Sequence, residues 1–201
     1  MRRKEIIWLV LFVSAILLVL AEKYLPYLPG DVVATKLVQS HLPESSGWAK
    51  WLSSTAEMPW VLILVVVIFS LCWKIAGWRA ALLSLFSIIG VSLLGVWLGP
   101  IVAQARPSPR LIRVSGSFSG SAFPSIFALR YASTIGFLAV LAIVKMRGGM
   151  RWILVLICGC LLFAGLLARL ALGAHWPSDV IISYYLGLLW AAFLLRFAPL
   201  A

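Results

Sequence analysis

Apolar residues fall into six runs along the chain: about Ile6–Ala21, Trp60–Trp73, Ala80–Leu98, Ile126–Val144, Trp152–Leu172 and Val180–Leu195. Each can form a helix in hydrocarbon, although several are short for a full crossing of about 20 residues. Flanking residues such as Leu25 and Pro59, or a thin bilayer, make up the difference. The pattern predicts an all-α integral membrane protein, a six-transmembrane-helix bundle forming a single domain over residues 1–201. Pro26, Pro29 and Gly30 break the first helix, and two short amphipathic pieces follow before the second span. Residues Val32 to Val38, with Asp31 as N-cap, and residues Trp48 to Leu52 are expected as short interfacial helices. The tryptophans of the second piece suit the lipid–water boundary.

Composition agrees. The chain of 201 residues is 63% hydrophobic and 11% charged, with mean hydropathy +1.07, against about 45–50% and about 25% in soluble domains. The net charge of +11 does not imply nucleic acid as a partner, because the basic residues sit at the ends of the apolar runs. Six spans with the N-terminus inside leave Arg2, Arg3, Lys4, Lys74, Arg79, Lys145, Arg147, Arg151 and Arg196 cytoplasmic, as the positive-inside rule expects. Both termini are then cytoplasmic. Lys23, Lys36, Lys50, the third connection and most acids fall outside. The first run also resembles a signal peptide ending at Val19-Leu20-Ala21, but it is expected to be retained. Cys72, Cys158 and Cys160 lie in apolar runs and read as small core residues; a Cys-x-Cys pair on a helix points its thiols apart. His41 reads as a solvated loop residue.

The candidate chemistry is on the outer side. Arg169, His175 and Asp179 fall within eleven residues at the junction of the last two runs, where ionisable groups are costly and need a reason. Across from them, the connection Gly99–Ser125 holds Arg106-Pro107, Arg110, Arg113 and the flexible run Ser115 to Ser121. Pro124-Ser125 opens the fourth span, and a helix start offers N–H groups to an anion. Arginine grips phosphate bidentately. Taken alone, Arg169 and Asp179 could equally be an ion pair between helices, and His175 a helix cap.

These residues resemble the membrane type-2 phosphatidic acid phosphatases, relatives of the vanadium haloperoxidases. That family carries Lys-x6-Arg-Pro, then Pro-Ser-Gly-His, then Ser-Arg-x5-His-x3-Asp, and the resemblance covers the whole chain. Arg169, His175 and Asp179 match the third motif, with Ala168 in place of its serine. Arg106-Pro107 matches the first, with Gly99 at the lysine position. The second begins with Pro124-Ser125 and then departs: Ile126 replaces glycine and Phe127 the histidine.

The resemblance implies that His175 attacks phosphorus to form a phosphohistidine and that Asp179 holds its other ring nitrogen. Arg106, Arg169 and Ser125 bind the phosphate, with Arg110, Arg113 or Arg130 as possible substitutes for the lysine charge. It implies no cofactor and no metal. Phe127 cannot protonate a leaving group, a service worth about 10²–10⁴-fold. A lipid monophosphate leaving from a diphosphate suffers least, since its second pKa is near about 6. The resemblance implies a lipid phosphate or diphosphate phosphatase at the outer face of a bacterial inner or cell membrane, acting on a polyprenyl substrate such as undecaprenyl diphosphate or on a related phospholipid phosphate. The alternative is a pseudophosphatase that binds lipid phosphates or partners another membrane enzyme. A transporter of anionic lipids would show paired Gly/Pro breaks in mid-span, and none is evident.

Overall fold

The structure, a computed structural model, describes residues 3–43 and 46–197; Arg2 of the basic N-terminal run lies outside the described residues. Every regular element of the described residues is a helix, with no strand among them: α1 (Arg3–Tyr24), α2 (Asp31–His41), α3 (Gly47–Ser54), α4 (Trp60–Val102), α5 (Ile126–Lys145), α6 (Gly149–Ala171) and α7 (Pro177–Leu195). Helix α5 passes through one π turn at Ala132–Gly136. Five helices (α1 and α4 to α7) are long and apolar enough to cross a membrane.

The count of five differs from the six apolar runs because α4 holds two of them. At Ala76 (φ −142°, ψ 15°) and Gly77 (φ 81°, ψ 178°) its backbone is not helical. The φ of Gly77 is one that side chains disfavour. The break reverses the chain. Straight, the 43 residues of α4 would extend about 65 Å, and Cys72 would stand about 18 Å from Ser84. Instead Cys72 and Ser84 are within side-chain reach. Ala56 and Glu57, just before α4, line the same cavity as Arg106, just after it.

Helices α5 and α7 form the centre. Of their apolar spans 72% and 56% are buried, against 11% for α1, 17% for α4 and 28% for α6. Small residues let the two approach: a Cβ on Gly187 would lie 2.5 Å from that of Ala132. The outer helices present large apolar side chains outward, among them Leu17, Val66, Trp97, Leu156 and Phe163. An apolar surface this extensive needs lipid against it. Helix α1 docks on α7 through Ser14 Oγ, 2.7 Å from the Tyr185 hydroxyl, which also donates to Leu11 O at 2.8 Å.

Helices α2 and α3 cover the end of the bundle where the third connection lies. Ala49 of α3 packs against Ala168, Ala171 and Ala174. From α2, the Gln39 amide donates to Leu170 O (2.9 Å) and Arg113 O (2.8 Å). Asp31 is not the N-cap of α2. Gly30 is, with a left-handed backbone, and Asp31 is the first helical residue. From there its carboxylate accepts from Leu28 N (2.7 Å), Ser178 N (3.0 Å) and Ser178 Oγ (2.7 Å), which fastens α2 to the positive end of α7.

Candidate active site

Two loops build the site: residues 103–125 between α4 and α5, and 172–176 between α6 and α7. Ala103 ends α4 in a left-handed turn, its N–H returning to Gly99 O at 2.8 Å. The base of the long loop is closed by Ala122 N donating to Gln104 O (2.9 Å), and its middle lies on the α6–α7 turn through Ser115 N to Leu172 O (2.9 Å). Gly173 makes that contact possible. Its φ is +64°, and a Cβ there would sit 2.2 Å from Arg113 O.

His175 is 2% exposed. Its Nδ1 lies 2.7 Å from the carbonyl oxygen of Ala122. A carbonyl only accepts, so Nδ1 carries the hydrogen and donates it. Burial, with Arg169 and Arg106 nearby, pushes the imidazole pKa well below the ordinary histidine value, against the one opposing hydrogen bond to Ala122. The ring is therefore neutral and Nε2 keeps its lone pair. Nε2 faces Arg106, whose Nη1 is 3.4 Å away.

The expected pairing with Asp179 is replaced. Asp179 Oδ2 is 3.7 Å from Nδ1, too far for a hydrogen bond, and accepts instead from Trp176 N at 2.8 Å. Because α7 starts at Pro177, Asp179 occupies its third position, where a carboxylate turns back to the N-cap amide. The Ala122 carbonyl orients the ring, and Asp179 contributes a nearby carboxyl group.

Arg106 donates from Nε and Nη2 to Ser119 O (3.2 and 2.9 Å), from Nε to Gly120 O (3.3 Å), and from Nη1 to Ala174 O (2.7 Å). Burial lowers its pKa, countered by Asp179; guanidinium nonetheless stays cationic. Arg169 lies between two rings, 5.9 Å from the centroid of Phe118 and 5.5 Å from that of Phe127. Arg106 reaches the same Phe118 at 5.7 Å. Both guanidiniums thus pack against Phe118, and all three residues line one cavity of about 290 Å³.

Arg106, Arg169 and His175 line that cavity together with Ile126, Phe127 and Arg130. Arg130 Nη1 donates to Ala56 O at 2.6 Å. Ser125 does not line it. The residue is fully buried, its N–H donating to Ser183 Oγ (2.9 Å) and its hydroxyl accepting from Ala128 N (3.4 Å) as the N-cap of α5. Pro124 therefore precedes the helix instead of sitting in its first turn. Arg110 and Arg113 line a separate groove with Lys36, and Arg113 Nη2 donates to Gln39 O at 3.4 Å. Gly99 borders another cavity, with Gln104 and Gly120. Ala168 is buried against α3. His41 is exposed and bonded within its own helix. Cys72 and Cys158 are buried, whereas Cys160 is exposed. Among the described residues no group of His, Cys, Asp and Glu is placed to hold a metal ion.

Three contributors escape sequence reasoning. The Ala122 carbonyl carries no side-chain signal. Phe118 is a lone aromatic in a Gly/Ser run, a legible oddity. Glu57 lines the cavity as its one carboxylate among the described residues; an acid beside the second span, on a side rich in arginine, was its only trace.

By sequence, the PAP2 superfamily matches residues 80–201, while no curated protein matches the chain. By structure, the chain is similar to the crystal structure of a transmembrane PAP2-type phosphatidylglycerolphosphate phosphatase from Bacillus subtilis. The TM-score is 0.73 at 19% identity, covering 94% of each chain, which establishes a shared fold. The sequence match spans more than half of the chain and includes both loops of the site, so the protein belongs to the PAP2 superfamily.

Proposed function

We propose that the protein is a lipid phosphate or diphosphate phosphatase whose nucleophile is Nε2 of His175. The observation that carries this reading is the tautomer: Nδ1–H is fixed on Ala122 O, leaving a neutral ring with its lone pair in an arginine-lined cavity. Nε2 attacks phosphorus, the P–O bond to the leaving group breaks, and the pair departs with the lipid oxygen. Arg106 and Arg169 stabilise the charge on the phosphoryl oxygens. The phosphorylated ring is cationic, and the carboxyl group of Asp179, 3.7 Å away, is placed to offset that charge.

Phe127 offers no proton, so a polyprenyl diphosphate such as undecaprenyl diphosphate is the preferred substrate: its leaving monophosphate is a weak base. The activity of the Bacillus subtilis protein makes phosphatidylglycerolphosphate the second substrate to test. In the same reading the two halves of α4 are separate crossings, giving six, with both termini cytoplasmic, the site outside, and α2 and α3 at the outer interface. One observation favours a binding-only protein: Arg106 spends its Nε and Nη2 donors on Ser119 and Gly120 carbonyls. Purified protein assayed for phosphate release from a lipid diphosphate and monophosphate panel separates the two. Turnover lost in His175→Ala supports the enzyme. Binding that depends on Arg106 and Arg169 without any turnover supports the pseudophosphatase.

A further inference from the structure

A phosphohistidine must be hydrolysed as well as formed, and the second step needs a base whatever the leaving group was. In-line displacement brings the water to phosphorus from the side opposite Nε2, through the space the leaving group has vacated. His175 is the buried end of the cavity, at 2% exposure. Its mouth is formed partly by the Ala56–Glu57 turn that precedes α4, where Glu57 is exposed. That turn is bolted to α5. Arg130 Nη1 holds the Ala56 carbonyl at 2.6 Å, and the hydroxyls of Thr55 and Tyr131 are hydrogen-bonded. Tyr131 in turn packs on Phe127, ring centroids 4.2 Å apart. The turn is thus tied to the helix that carries Phe127, both Glu57 and Phe127 line the cavity, and the carboxylate is close enough to interact electrostatically with Arg169.

A carboxylate in a cavity lined by three arginines opposes the binding of an anion, so its place there calls for a compensating use. We propose that Glu57 is the general base of dephosphorylation, a further catalytic residue on the α3–α4 turn. In that step the water oxygen forms a bond to phosphorus while the P–Nε2 bond breaks. The bonding pair returns to Nε2, and the water proton passes to a Glu57 oxygen before release to solvent. Arg169 keeps the carboxylate near the phosphoryl group during the transfer. The inference rests on His175 being the nucleophile, and the experiment separates the two.

The test uses full-length protein in detergent, farnesyl diphosphate labelled in its terminal phosphate, and quenching in alkali, which preserves phosphohistidine. Glu57→Gln is expected to release farnesyl monophosphate in a first turnover as fast as the parent. It should then stall with label approaching one per chain, its steady rate lower by about 10²-fold or more. Glu57→Asp, which keeps the carboxylate, should regain part of that rate without the stall. A Glu57→Gln protein that turns over like the parent, or that loses the first turnover together with the steady rate, overturns the assignment of Glu57. If His175→Ala releases phosphate as fast as the parent, or the label on stalled Glu57→Gln maps to a residue other than His175, the nucleophile itself is wrong, whatever Glu57 does.

Discussion

The cavity has two unlike walls. One, from the end of α6, the α6–α7 turn and the long loop, holds His175, Arg169 and Arg106, the proposed nucleophile and anion clamp. The other, from the start of α5 and the turn before α4, holds Phe127, Ile126, Arg130 and Glu57, where the family's glycine and histidine are gone. The first wall is tied down by backbone: Gly173 lying against Arg113 O, Ala122 O on the imidazole. The second is packed as a hydrophobic wall, Phe127 on Tyr131. On the proposed mechanism, gripping and attacking phosphate are separable from moving the proton. Each duty can be held by a different element and altered independently.

The contrast can be broken first at the retained wall. Arg169→Ala should lower kcat/KM for a lipid diphosphate by about 10²–10³-fold, the usual loss of a charged transition-state donor, measured by phosphate release. An effect under about threefold would move the clamp elsewhere. The altered wall can be repaired: Phe127→His should raise turnover of a lipid monophosphate by tenfold or more while changing that of a diphosphate far less. Equal changes on both substrates would deny the leaving-group explanation.

Acid sharpens the comparison further, because the retained wall contains the titrating ring. The His175 pKa lies well below 6.5 in the folded protein, whereas the unfolded ring titrates near about 6.5. Activity should therefore hold as pH falls through about 6.5 and fail only lower. Stability has the opposite reach. Below about pH 6.5 the unfolded state binds the extra proton, so stability should fall with pH by up to about 1.4 kcal/mol per unit. Thermal melting of parent and His175→Gln reads that slope, which the variant should lack. The smallest effect is expected at Arg110→Ala, outside the cavity: less than about threefold on either substrate, at most surface screening.

How much of this was legible beforehand follows from where the information sits. The apolar runs announced the helices, but not that two of them join at Ala76–Gly77 in one broken helix, because the reversal depends on two residues' dihedrals. The spacing of Arg169, His175 and Asp179 pointed to one stretch of chain, of which Arg169 and His175 line the cavity and Asp179 does not. It misassigned the partner of His175: four residues of separation suggest contact, yet a helix beginning at Pro177 sends Asp179 to its own N-cap. Ser125 was misplaced for the same reason, its hydroxyl being spent on capping α5. Arg130 was picked from its distance along the helix and does reach the cavity, while Arg110 and Arg113 were equally charged and lie elsewhere. Glu57 stood outside every motif because only tertiary folding brings it to the cavity that His175 lines.

The most direct test of the central claim is to map covalent phosphate on the protein. Full-length protein mixed with a lipid diphosphate labelled in its terminal phosphate, stopped in alkali, digested and sequenced by mass spectrometry should carry alkali-stable, acid-labile phosphate on His175. Label on any other residue, or turnover in His175→Ala equal to that of the parent, would contradict the account.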